Sequence, residues 1–171
     1  MATMEVEVEL YHAHCENCGR DFVFPDLAHD EDLLLGLSSR LEAALVDDAS
    51  DPVVGKVRDL VELILEQWGA TETDMVVCLG RVLGNAFDPA PSGLGYDFSG
   101  ELSCPLCGSD RVAYSPYKPA HLQTIRLPLA THSRWSQMDY QEQADLVMSA
   151  LYQKECIPRL GEPETPGGPS H

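Results

Sequence analysis

Basic residues are scarce in this chain: 11 Lys and Arg stand against 28 Asp and Glu, for a formal net charge of -17. So few cations cannot pave a broad phosphate-binding surface, which draws its affinity from clustered Lys and Arg. Long apolar runs are missing as well, since no stretch approaches the roughly 18 uncharged apolar residues of a membrane span. The N-terminal Met1-Ala2-Thr3-Met4-Glu5-Val6-Glu7-Val8-Glu9 lacks the basic and apolar regions of an export signal, so a cytoplasmic location is expected. Catalytic signatures are absent too: the sequence has no nucleophile elbow, phosphate loop, His-Glu-x-x-His helix or deaminase His-x-Glu with paired cysteines. These gaps point away from an enzyme and away from nucleic acid. The acidity keeps the protein soluble and suits a basic protein partner.

Cysteine is sparse but unevenly placed. Of six cysteines, four fall in two matching knuckles, Cys15-Glu16-Asn17-Cys18-Gly19 and Cys104-Pro105-Leu106-Cys107-Gly108, with residues 19 to 103 between them. Each knuckle presents two sulfurs at one turn, and its glycine lets the backbone curl beneath an ion. Two such turns facing each other supply the tetrahedral four-sulfur sphere that Zn2+ prefers. Cys78 and Cys156 lie alone in helical patterns and are expected to be a core residue and an exposed thiol. The whole set fits a reducing compartment with a metal site rather than a disulfide framework. Neither Cys-x-x-Cys opens a helix after a strand, as a thioredoxin-like redox pair would.

With 171 residues and 44% hydrophobic content, the chain can build one buried core, or a small domain carrying an insertion. Strict alternation over residues 5 to 14 predicts a strand with Val6, Val8, Leu10, His12 and His14 on one face. Asp21-Phe22-Val23-Phe24 reads as its return strand. The second knuckle repeats the pattern, with Glu101-Leu102-Ser103 leading in and Arg111-Val112-Ala113-Tyr114 leading out. From about residue 30 to 87 the pattern turns helical. Leu34, Leu37, Leu41 and Leu45 form one stripe behind the acidic turn Asp30-Glu31-Asp32. Asp51-Pro52 starts a second helix whose stripe runs from Val53 to Trp68 and stops at Gly69. Thr71 or Thr73 caps a third, in which Gly80 and Gly84 leave room for another backbone. A strand is expected over residues 121 to 129. Beyond it, Ser136 would cap a last helix, with Asp139 completing a capping box and Trp135 stapling to Tyr140.

The expected architecture is therefore α+β. A four-Cys ribbon of two β-hairpins (residues 1–28 and 100–130) clamps a three-helix insert with its closing loop (29–99), followed by a C-terminal helix (131–157) and a disordered tail (158–171). The metal ligands are Cys15, Cys18, Cys104 and Cys107. His12 and His14 are candidates for hydrogen bonds to the sulfurs or for replacing one of them. Between Asp30 and Asp74, twelve Asp or Glu face Arg40, Lys56 and Arg58, and most of these decorate polar helix faces.

The two knuckles with their hairpins, about residues 9 to 25 and 100 to 116, resemble the zinc-ribbon superfamily. That resemblance implies a structural zinc ion and a ribbon fold. Because transcription factors, ribosomal proteins, chaperones and enzyme subunits share such ribbons, it implies no particular activity. The knuckles also resemble those of rubredoxins, which hold iron, so iron is the alternative metal. The stretch from Gly100 to Gly108 is similar to a group of uncharacterised bacterial proteins with two CPxC motifs, from which this chain departs at Glu16. The functional expectation is an adaptor or accessory protein that binds another protein through the acidic insert or a ribbon edge. Two alternatives remain open. One is a transcription-associated or nucleic-acid factor that turns Arg20, Arg111, Lys118 and Arg126 toward phosphates. The other is an enzyme with an incomplete metal sphere or a reactive thiol.

Overall fold

The computed structural model describes residues 1–29 and 32–157; the expected tail, 158–171, lies outside them. The fold is mixed, with antiparallel sheets and three α-helices among the described residues. Its spine is β1 (Thr3–Cys15). Strand β2 (Asp21–Leu27) pairs with β1 along one edge. The opposite edge is shared by two strands in line: β5 (Val112–Pro116) covers residues 11–15 and β6 (Leu122–Pro128) covers residues 3–9. Only Leu10 lies between these two stretches of pairing, so residues 117–121 must bulge outward over a single β1 residue.

Where the leucine stripe predicts a first insert helix, the chain forms a β-hairpin, β3 (Leu33–Leu37) with β4 (Ala43–Asp47). The expected three-helix insert thus contains two helices and this hairpin. The physical reason is burial on both faces. Leu33 and Leu45 pack with Val6 and Val8 of the main sheet, whereas Ala44 and Val46 face the helices. A strand covered on both sides needs apolar residues at every position, which erases the alternation that marks a half-buried strand. The hairpin is the middle layer between sheet and helices. Its fully buried Leu45 sits in the smaller core, where burying one such side chain contributes about 1.5–3 kcal/mol.

Helix α1 (Pro52–Glu66) starts as the sequence dictates, with Asp51 accepting from the Val53 N–H at 2.8 Å and proline in the first turn. It buries Val53, Val54, Val57, Leu60, Val61, Ile64 and Leu65, and ends before Trp68, which stays 41% exposed. Helix α2 (Glu72–Leu83) is capped by Thr71, which forms a reciprocal capping box with Asp74. Gly80 and Gly84 meet the close approach their spacing suggests. A Cβ on Gly84 would lie 1.7 Å from the Tyr96 carbonyl oxygen, and one on Gly80 would lie 2.6 Å from the Ser99 Cα. A backbone bond from the Phe98 N–H to the Gly80 carbonyl, 3.1 Å, holds the crossing segment down.

Helix α3 (Tyr140–Gln153) is capped by Asp139 with Glu142, not by Ser136. Ser136 lies in a short 3-10 turn, Trp135–Gln137, where Trp135 is buried, while Tyr140 is 66% exposed. The cap moves because Asp139 already offers a carboxylate three residues ahead of Glu142, the spacing a capping box needs. Cys78 of α2 and Cys156, just past α3, form a disulfide, correcting the reading of one as a core thiol and the other as a free one. Their separation of 78 residues hides the pair from any spacing argument. It also removes the cysteine-pattern argument for a reducing compartment. No helix among the described residues is long and apolar enough to cross a membrane.

Candidate metal centre

The two knuckles arrive by different routes and close in the same way. Cys15 is the last residue of β1; its carbonyl accepts from the Gly19 N–H at 2.8 Å, and its N–H donates to the Arg20 carbonyl at 2.9 Å. Around Cys104 the Gly108 N–H donates to the Cys104 carbonyl at 2.8 Å, and the Cys104 N–H donates to the Ser109 carbonyl at 2.8 Å. Both turns need a left-handed residue, and Gly19 (φ 70°) and Gly108 (φ 73°) supply it without the Cβ clash. The lead-in to the second knuckle, residues 101–103, is not a strand, which corrects the second expected hairpin. The knuckle is held instead by β5 pairing directly with β1, Cys15 opposite Val112, and by the Glu16 N–H donating to the Arg111 carbonyl at 2.9 Å. The first strand of the chain thus serves both knuckles.

The sulfurs of Cys15, Cys18, Cys104 and Cys107 all lie within 4.8 Å of one another. Cys15 and Cys107 approach to 3.6 Å, and Cys18 and Cys104 to 3.7 Å. A tetrahedron with metal–sulfur bonds of about 2.3 Å has edges of about 3.8 Å, so these spacings suit one ion at the centre. Each knuckle gives one buried cysteine, Cys15 or Cys104, and one exposed cysteine, Cys18 or Cys107. The group is placed to bind a metal ion.

Four sulfurs this close cannot all ionise unaided. The Arg20 backbone favours the Cys18 thiolate, but desolvation and the three neighbouring sulfurs outweigh it and push Cys18 up to about 12. The Ser109 backbone and the Asn17 side chain pull Cys107 down to about 6; the Asn17 amide lies 3.7 Å from that sulfur. Protons and charge are shared over the set, and a bound dication allows every sulfur to become a thiolate. Asn17, between the cysteines of its knuckle, is the sulfur partner that spacing arguments overlooked. A donor-bearing residue inside the turn was the available signal.

His12 and His14 do not continue the buried face of β1. The burial phase inverts along the strand: Val6 and Val8 are buried, then Ala13 and Cys15, so His12 and His14 are about half exposed at 47% and 48%. The β3–β4 hairpin covers only the first half of β1, whereas the odd face of the second half carries an aromatic cluster in which Tyr11 stacks on Phe24 at 5.4 Å and Tyr114 meets both rings edge-on at 5.5–6.2 Å. His14 Nδ1 lies 2.7 Å from the Asp21 carboxylate and His12 Nε2 lies 3.7 Å from it. The hydrogen bond to His14 keeps Asp21 below its usual range.

Of the candidate cations, Arg20 and Arg111 both border the first knuckle, their carbonyls accepting from the Cys15 and Glu16 N–H groups at 2.9 Å. Arg111 pairs with Glu16 at 3.5 Å and Arg126 with Glu5 at 3.3 Å, whereas Arg20 and Lys118 are exposed without an ion pair among the described residues. No known protein family, curated protein or solved structure matches this chain.

Proposed function

We propose that the four cysteines hold a structural zinc ion in a zinc ribbon opened by a long insertion, and that the protein is a non-enzymatic adaptor or accessory factor. The observation that carries this reading is the donor set. Four mutually close thiols fill all four corners of a tetrahedron and leave no position for a water or substrate, which is the mark of a structural site. Cys15, Cys18, Cys104 and Cys107 would bind the ion, and Asn17 would support the Cys107 thiolate. The ion stabilises the fold by joining the first strand to a segment more than 80 residues later in sequence. Iron in the same sphere would give an electron-transfer site; metal analysis and colour separate the two.

The partner in this reading is a protein of basic character, favoured by the net charge of -17. The nucleic-acid reading is supported less well, because Glu16 and Glu5 offset Arg111 and Arg126, two of the four cations it needs. Purification of the native complex from its host, with metal quantified on the same sample, tests the proposal. The expected result is one zinc per chain and a stoichiometric protein partner. Abundant co-purifying nucleic acid with salt-sensitive binding would overturn it.

A further inference from the structure

Left-handed backbone is costly for any residue with a Cβ, and this chain assigns it to glycine at 19, 69, 93, 100 and 108. Among the described residues two others adopt it, Leu41 (φ 62°) and Glu155 (φ 59°). Leu41 closes the β3–β4 turn, its N–H donating to the Ser38 carbonyl at 2.9 Å. Glu155 follows α3, where the Cys156 N–H returns to the Leu151 carbonyl at 2.9 Å, a helix ending in which glycine is the usual left-handed residue. Local backbone preference opposes both side chains. They are more than 100 positions apart in sequence, yet both line one open cleft of about 640 Å³. Strain retained at two walls of a single cavity is a sign that the side chains are used there.

The charges in the cleft indicate what it would take. Arg81 donates to Glu101, with Nε at 2.9 Å, and Lys154 lies 3.6 Å from Asp97. Glu155, the third carboxylate, makes no ion pair of its own among the described residues and shares the Arg81 charge with Glu101 and Asp97, so carboxylates outnumber cations three to two. The cleft is therefore short of one positive charge, and Leu37, Leu41 and Leu94 give it apolar wall. Glu101, which forms another part of the wall, lies three residues before Cys104, so the metal clasp anchors that side.

We propose that this cleft binds an extended protein segment carrying a lysine or arginine beside an apolar residue, with Glu155 meeting the cation and Leu41 the apolar side chain. This inference rests on the protein-partner reading and says where the partner sits. The test uses the full chain, metal-loaded, with a fluorescein-labelled nonapeptide of alternating leucine and lysine followed by anisotropy; the same peptide with glutamate for lysine is the control. The lysine peptide should bind and the glutamate peptide should not. Leu41→Gly, which leaves charge unchanged, and Glu155→Gly should each weaken binding about five-fold or more. Both variants should melt at the same temperature as the parent or higher, because glycine relieves the backbone. Binding that both variants leave intact would mean attraction by net charge alone and would overturn the cleft assignment, with the protein-partner reading untouched. A lowered melting temperature in both variants would mean structural roles and would overturn it equally. So would absence of peptide binding, in which case co-purification of a native partner decides the broader reading separately.

Discussion

Stripping the metal should loosen one end of the molecule while leaving the other intact. The two knuckles tie the end of β1 to a segment beyond an intervening stretch of 85 residues, 19 to 103. In the chain-entropy treatment of cross-links, closing a loop of that length restricts the unfolded ensemble by about 4–5 kcal/mol. For a protein of this size that corresponds to a fall of about 10–15 °C in melting temperature. The loss should be uneven. Strand β5 has four of its five residues exposed and depends on β1 and the knuckles, whereas α1 buries seven residues in the larger core. The Cys78–Cys156 disulfide lies in that core and survives a chelator when no reductant is present. The assay is a thermal melt with hydrogen exchange read at residues 112–115 and 60–65, before and after chelation, with metal loss verified by elemental analysis. Protection should collapse in β5 and persist in α1. Unchanged melting, or equal protection of β5 with and without metal, would refute the clasp.

Two further outcomes follow from individual contacts. Gly84→Ala should destabilise by about 3 kcal/mol or more in chemical denaturation, because its Cβ would meet the Tyr96 carbonyl and backbone must move to relieve the clash. Near-parental stability would mean that the crossing segment is not fixed on α2. Asp88 ties the end of the helical pair to the 131–134 loop, accepting from the Thr131 hydroxyl at 2.6 Å and the Ser133 and Arg134 N–H groups at 2.9 and 3.2 Å. Burial pushes its carboxyl up, but those donors outweigh it and hold the group at about 2. With the folded value depressed, its contribution is present above the unfolded value near ~3.9 and is lost as pH falls through the folded one. Asp88→Asn should therefore cost about 1–2 kcal/mol at neutral pH, with the gap from the parent closing toward pH 2. A gap independent of pH would show that charge plays no part.

Local chemistry was legible wherever it was decided locally. Asp51-Pro52 placed the start of α1, the α2 cap was narrowed to Thr71 or Thr73, of which Thr71 serves, and the alternation from Val6 to Val8 marked a strand. The matched knuckles named the four sulfurs that the fold brings within 4.8 Å. Errors arose where a neighbour set the pattern. Leu34, Leu37, Leu41 and Leu45 fit a helix by spacing alone, yet the sheet on one side and the helices on the other make residues 33–37 and 43–47 a doubly covered hairpin. His12 and His14 followed the arithmetic of alternation, but the cover over β1 ends before them.

The sequence alone determined the start of α1, the turn glycines, the acid balance and which four cysteines come together, because each depends on residues a few positions apart or on composition. Tertiary structure decided the rest. It alone paired Cys78 with Cys156, ran the backbone of residues 96–99 over Gly80 and Gly84, and put Leu41 and Glu155 on one cleft. Those relations join segments from 12 to 114 residues apart. Their energy comes from packing between surfaces that exist only after the layers have assembled, so no local pattern encodes them.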